Sequence, residues 1–161
     1  SSRLETGILS LHPEPGPLSP TVERAVAQYL SKAQAKQIRL SVGQMRGSAL
    51  FDPKWTEEAL CNLLDNAVKY TPAGGRVSVE IRPYEMFTAV CVQDTGPGIP
   101  EAEQAKIFGR FYRAPSAYQT EGVGIGLYLT RQIAAGQGGY IKVESSPGAG
   151  SIFSLYLPRE S

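Results

Sequence analysis

The chain has 161 residues, 42% of them hydrophobic and 19% charged, with 16 Lys plus Arg against 15 Asp plus Glu and a formal net charge of +1. That length suits one domain of about 100–200 residues, and the near-neutral balance lacks the electrostatic footprint of a nucleic-acid or membrane-surface binder. Two isolated cysteines, Cys61 and Cys91, and a single histidine, His12, exclude a Cys-x-x-Cys zinc site and leave little for a histidine-based metal centre or triad.

Cys91 lies between Val90 and Val92 and Cys61 follows Leu60, and both read as reduced core hydrophobes of a cytosolic protein. No apolar run approaches the ~18 residues of a membrane span. The opening Ser-Ser-Arg-Leu-Glu carries no signal-peptide pattern.

Residues 1–18 read as a tail and linker. Pro13, Pro15, Pro17 and Pro20 forbid a helix there and favour extended backbone. His12 in this stretch reads as a solvated loop residue. Ser19 offers an N-cap with Pro20 at N1. Val22, Val26, Tyr29, Leu30 and Ala33 then recur at helical spacing, which predicts one amphipathic helix over 20–36. Short strands follow at 38–42 and 49–51. Asp52 is an N-cap candidate with Pro53 at N1, opening a helix to Tyr70 that Thr71-Pro-Ala-Gly-Gly75 stops.

Val77, Val79 and Ile81 alternate with polar residues, as do Phe153, Leu155 and Leu157. Val90, Val92 and Asp94 share one strand face, and Tyr140–Ser145 reads as a further strand. Short and long helices are expected at 101–108 and 126–137. Clean alternation, with hairpin-type connections, predicts a two-layer α/β sandwich. Its mixed sheet of about five or more strands has one solvated face, and three main helices cover the other.

Four segments carry chemistry. In Asn62-Leu-Leu-Asp-Asn66-Ala-Val-Lys69-Tyr70, Asn62, Asn66 and Lys69 fall at i, i+4 and i+7 on one helix stripe, with Tyr70 beside them. Amide oxygens at the edge of an apolar face suit Mg²⁺, which takes few protein ligands and fills its octahedron with phosphates and waters. Taken alone, a solvated helix face is the better reading of the stripe.

Asp94-Thr-Gly96-Pro-Gly98-Ile99-Pro100 follows an apolar strand and points its carboxylate to the core face. Such a group demands a donor, and the exocyclic amine of a base is one. The glycines let backbone approach a ring closely. In Ile107-Phe108-Gly-Arg110-Phe111-Tyr-Arg113, aromatics would anchor a loop and the arginines could face a polyphosphate; taken alone, the segment reads as well as a surface helix with two arginines. Gly122-Val123-Gly124-Ile125-Gly126-Leu127 leads into a helix and exposes backbone N–H groups to an anion. It matches neither the dinucleotide fingerprint nor a P-loop. The polar stretch from Gly109 to Glu121 has the composition of a mobile lid.

In order and spacing, "NLLDNAVKYTP", "DTGPGIP", "IFGRFYRA" and "GVGIGL" resemble the N, G1, F and G2 boxes of sensor histidine kinases. These belong to the wider ATPase superfamily that includes gyrase B and Hsp90. The resemblance spans residues 18–158 and includes a closing strand in Gly148-Ala-Gly-Ser151-Ile-Phe153. It implies the Bergerat-type sandwich with a flexible ATP lid, and roles box by box. Asn66 would coordinate Mg²⁺, Asn62 would be the amide one turn earlier, Lys69 would contact phosphate and Tyr70 would lie near adenine. Asp94 would accept from the adenine amine, with Gly96, Gly98 and Ile99 closing over the ring and Ser151 beside them. Arg113 and Arg110 would sit near the γ-phosphate, with Phe108 and Phe111 as lid anchors. Gly122, Val123, Gly124, Ile125, Gly126 and Leu127 would form the hinge and phosphate-facing backbone.

Two positions refine the resemblance. Hydrolysing branches carry Glu where this chain has Asn62, a poor base, which favours phosphoryl transfer to a protein histidine. His12, in Leu11-His-Pro-Glu-Pro, cannot sit on the phosphoacceptor helix. The resemblance therefore implies a kinase catalytic domain over 19–161, separated from its dimerisation hairpin. Residues 1–18 would be the residual linker, and Ser2-Arg-Leu-Glu-Thr6 would resemble the hairpin's end. The isolated chain would be monomeric and unable to autophosphorylate. Its implied ligands are Mg²⁺ with ATP or ADP. Its implied partners are the hairpin and a response regulator, with no nucleic acid and no direct membrane contact. The implied location is the cytoplasm, as part of a membrane-anchored parent.

Overall fold

The computed structural model describes residues 9–109 and 123–159, with side chains omitted for 123–126. Residues 9–18, inside the stretch read as a linker, dock on the domain. Glu14–Pro17 forms strand β1, antiparallel to β3 (Ser48–Phe51) in a separate two-stranded sheet. Prolines recurring every second residue keep their missing N–H groups on the edge facing away from β3, where no ladder bond is lost. Leu18 ends the strand fully buried, its N–H donating to the Gly47 carbonyl at 2.9 Å.

The expected Ser19 cap is displaced by one residue: Leu18 is the N-cap, without a side-chain bond, and Ser19 opens helix α1 (Ser19–Ala27). Burial of Leu18 fixes the chain's entry, so its carbonyl takes the first intrahelical bond, from Val22 at 3.0 Å. The single helix expected over 20–36 is also two helices, α1 and α2 (Leu30–Ala35). At the break, Gln28 and Tyr29 donate to carbonyls three residues back, Ala25 and Val26. This tightening turns the chain. α2 stops in a Schellman arrangement, with Gln37 at φ +64, Gln37 N–H on Gln34 O and Ile38 N–H on Ala33 O.

β2 (Arg39–Val42) pairs in parallel with β4 (Arg76–Pro83). β5 (Phe87–Asp94), β6 (Tyr140–Ser145) and β7 (Ser151–Pro158) complete a five-stranded mixed sheet in the order β2-β4-β5-β7-β6, antiparallel from β4 onward. Helix α3 (Pro53–Tyr70), short α4 (Glu101–Gln104) and α5 (Val123–Gly136) supply the remaining helices among the described residues. α1, α3 and α5 cover one face. Leu60, Leu63, Leu64, Ile81, Val90, Ile133, Leu155 and Leu157 make the core between the layers, each no more than 1% exposed.

Three further expectations shift. The helix expected over 101–108 ends at Gln104 and continues as tight turns, with Lys106 N–H on Glu103 O and Gly109 N–H on Lys106 O. α5 starts at Val123 rather than Gly126, so the glycine segment forms its first turn. Burial of Leu127, Leu129, Ile133 and Ala134 at helical spacing offsets the helix cost of those glycines. The outer sheet face is also less solvated than alternation suggests. Cys91 is buried, with Ser154 Oγ donating to its Sγ, and Tyr140 stacks on Tyr156 at 4.5 Å.

Candidate nucleotide site

α3 carries the first box, and both its ends are fixed. At the N-terminus Asp52 caps the helix, its carboxylate accepting from Trp55 N–H at 3.1 Å and from His12 N–H at 2.8 Å. At the C-terminus Lys36 Nζ donates to the carbonyls of Val68 (2.9 Å) and Lys69 (2.6 Å), a cation at the negative end of the helix dipole. The apolar stripe Ala59, Leu60, Leu63, Leu64 and Ala67 faces the core. This sets the rotation of the polar stripe. Asn66 lies at its buried edge with Nδ2 inaccessible and without a hydrogen-bond partner. Asn62 and Tyr70 are half-buried. Lys69 is exposed and pairs with Asp65 at 3.3 Å.

Asp94 ends β5 opposite Val77 and Ser151, on the face shared with Val90 and Val92. It is 6% exposed, and its Oδ1 accepts Gly96 N–H at 2.8 Å. Desolvation raises its pKa above the usual carboxylate value, while the backbone N–H groups of Gly96 and Ser151 pull it back. No cation pairs with it in any ion pair among the described residues.

The turn after Asp94 is held from β6. Ser145 Oγ accepts Ile99 N–H, donates to Gly150 O and meets Ser151 Oγ, each at 2.8 Å. Gln104 Nε2 donates to the carbonyls of Ile99 and Ser145. Gly98, at φ +77, packs so closely on the Ser146 carbonyl that no Cβ fits. Ile99 is 1% exposed and Ser151 2%. Phe108 is buried edge-on against Phe153 at 6.3 Å, and Leu127 is buried in the core.

The structure therefore brings Asn66, Tyr70, Asp94, Gly96, Gly98, Ile99 and Ser151 to the ends of α3, β5 and β7. Arg110, Phe111, Arg113, Gly122 and the lid segment lie outside the described residues. Val123, Gly124, Ile125 and Gly126 are placed only as helix backbone. Four residues went unassigned in the sequence: Lys36, Thr71, Gln137 and Ser145. Thr71 alone had a local signal, following Tyr70 in the first box.

A buried carboxylate with no ion-pair partner among the described residues, on the element next to a helix whose Asn66 Nδ2 has no hydrogen-bond partner, suits a ligand presenting an amine at one end and an anion with its counter-cation at the other. The described residues contain no group of three His, Cys, Asp or Glu able to hold a metal by themselves. Asn66 fits a cation that brings its own phosphate and water ligands.

Comparisons with known proteins identify the family. The profile of the family described as "Histidine kinase-, DNA gyrase B-, and HSP90-like ATPase" matches residues 51–161. The adaptive-response sensory kinase SasA of Synechococcus sp. (strain JA-3-3Ab) is 41% identical over 144 residues, 88% of this chain and 38% of that protein. The circadian input-output histidine kinase CikA of Synechococcus elongatus is 33% identical over 166 residues, 99% of this chain and 22% of that protein. The chain thus spans well under half of either relative. Among solved structures, the mycobacterial sensor histidine kinase MprB aligns with a TM-score of 0.81 at 28% identity, covering 92% of this chain and 100% of that one. Full-length ShkA, solved with AMPPNP, aligns at 0.80 and 27% identity, covering 93% and 32% respectively. The chain belongs to the histidine kinase-, DNA gyrase B- and HSP90-like ATPase family, as the catalytic ATP-binding domain of a sensor histidine kinase.

Proposed function

We propose that the chain binds Mg²⁺-ATP and, within a longer kinase, transfers the γ-phosphoryl group to a histidine on a separate dimerisation hairpin, for relay to a response regulator. The observation that carries this reading is Asp94: a buried carboxylate held by backbone N–H groups, with no cation partner among the described residues. An adenine amine supplies the donor it lacks.

In this reading Asn66 would hold Mg²⁺ through its amide oxygen, with ATP phosphates and waters as the other ligands. Mg²⁺ neutralises charge on the phosphates. Lys69 exchanges Asp65 for phosphate, and Tyr70 flanks the base. Arg110 and Arg113 face the γ-phosphate, with Phe108 and Phe111 anchoring the lid. A histidine ring nitrogen bonds to the γ-phosphorus as the bond to the bridging oxygen breaks. ADP leaves with that electron pair, and the ring gives up its proton to solvent. Asn62 supplies no base for water, so transfer outruns hydrolysis.

The catalytic unit of this reading is 19–161, with 1–18 leading to the hairpin and its portion 9–18 docked on the unit, and it works as a cytoplasmic part of its parent. No helix among the described residues is long and apolar enough to cross a membrane. The test supplies a purified hairpin domain with radiolabelled ATP and Mg²⁺. Label on the hairpin histidine, absent without Mg²⁺, supports the reading. Steady phosphate release with no labelled hairpin replaces it with a hydrolase.

A further inference from the structure

β2 is an edge strand of the five-stranded sheet, and no strand among the described residues lies beyond it. Its ladder to β4 uses alternate residues: Arg39 N–H donates to Gly75 O at 3.0 Å and Gly43 N–H to Val79 O at 2.8 Å. Backbone groups alternate in direction along a strand, so Leu40 and Val42 turn their N–H and C=O groups to the open edge. Such an edge is a template for a further strand. The side chains there add apolar surface, with Val42 48% exposed.

A groove of about 700 Å³ opens at the start of this edge, between α2, β2 and the 74–75 turn. Leu30, half of it exposed, and Leu40 supply apolar lining, and Arg39 and Arg76 line it as well. The two arginines are direct register partners on β2 and β4, so they share one sheet face, opposite to that of Leu40 and Val42. Both are exposed, and neither has an ion-pair partner among the described residues. No Asp or Glu lines the groove. Like charges on directly opposed residues of neighbouring strands repel, so this pair calls for an anion supplied from outside.

We propose that the β2 edge and its groove dock an acidic, extended segment of a partner protein, which adds as a strand beside β2. Main-chain bonds to Leu40 and Val42 hold the segment, and its side chains alternate between the two sheet faces. Carboxylates fall on the face of Arg39 and Arg76, and apolar residues fall on the face of Leu40 and Val42. Nothing in this site depends on the nucleotide reading of Asp94.

Fluorescence anisotropy of the whole chain at low salt tests this, with a labelled Gly-Glu-Val-Glu-Val-Glu-Val-Gly peptide as probe. The peptide should bind saturably, and a counterpart with Gln for every Glu should bind about tenfold more weakly. Joint Arg39→Gln and Arg76→Gln substitution should abolish that difference. Two further peptides carry N-methyl groups at alternate residues, one in each phase. An added strand shows β2 only one set of N–H groups, so one version should lose binding and the other keep it. Val42→Pro removes an N–H that makes no ladder bond and should also lose binding. Equal affinity for the Glu and Gln peptides, or no binding at about 1 mM peptide, would overturn the site. Equal binding of the two N-methylated versions would overturn strand addition in favour of bare charge attraction, and this arm decides even where Val42→Pro does not fold.

Discussion

Gln137, just past the end of α5, accepts the backbone N–H of Asp52 through its side-chain oxygen and so ties α5 to the start of α3. Its Nε2 donates to Thr56 Oγ1 at 3.2 Å and to the Ile133 carbonyl at 3.3 Å. Gln137 is 6% exposed and Thr56 fully buried, so none of these groups has water as a substitute. The clasp sits at the far end of α3 from Asn66 and Tyr70. It holds together the helix of the first box and the helix of the glycine box.

Removing the clasp should therefore cost stability. Gln137→Ala strands the Asp52 N–H and the Thr56 hydroxyl in a buried site. The expected loss is about 2–4 kcal/mol of unfolding free energy, read from urea denaturation. An unchanged midpoint would show that water reaches the site and replaces the amide.

Asp94 predicts opposite effects on fold and function. Asp94→Asn keeps an oxygen for Gly96 N–H but removes a buried charge, so the fold should hold or gain stability while adenine-nucleotide affinity falls by about 1.5–3 kcal/mol. The pH dependence has the same split. Burial raises the folded pKa of Asp94 above its unfolded value. Its contribution to stability is thus most favourable below the unfolded value and is lost as pH rises through the folded value. Nucleotide binding needs the charged form and should fall as pH drops through that same folded value. Isothermal titration across pH on the unaltered chain and on Asp94→Asn checks this: the variant should lose the pH step. A step of equal size in the variant would assign it to another group.

Asn66 predicts a metal-dependent effect. Its Nδ2 is buried without a partner, so Asn66→Ala removes an unsatisfied group along with some packing. The net change in stability should be within about 1 kcal/mol. Affinity for ATP with Mg²⁺ should drop well beyond that, and more than affinity for ATP with EDTA. Equal losses in the two buffers would remove Asn66 from the metal site.

Much of this site was legible because its signals are local. Two-residue alternation placed Asp94 beside Val90 and Val92, and 3.6-residue periodicity placed Asn62, Asn66 and Lys69 on one stripe. What escaped depends on partners distant in sequence. Gln137 meets Asp52 across 85 positions and Ser145 meets Ile99 across 46, and no local pattern marks either. The break at Gln28–Tyr29 escaped for a related reason. Helical periodicity continues through it, while Gln28 is drawn to Glu57 on the neighbouring helix, with Nε2 3.0 Å from Oε2. β1 was legible as extended backbone but not as a strand, because its partner β3 was needed to make it one.

The turn after Asp94 gives a prediction with an internal control. Gly98 and Gly74 both have left-handed backbones, at φ +77 and +92. A side chain pays the conformational cost at either, about 1–2 kcal/mol. Nothing lies within 4 Å of a Cβ built at Gly74, whereas at Gly98 the Cβ would run into the Ser146 backbone carbonyl. That carbonyl cannot swing aside as a side chain would, because Gly148 and Ala149 donate N–H bonds to Pro97 O (2.7 Å) and Ser146 O (3.0 Å). Gly74→Ala should therefore lose only the conformational term and keep nucleotide affinity. Gly98→Ala should lose more stability and also displace the 96–99 turn that borders Asp94, weakening nucleotide binding. Thermal melts with and without an ATP analogue separate the two. Equal melting shifts for both variants would show that the 146–150 turn yields freely to the added methyl.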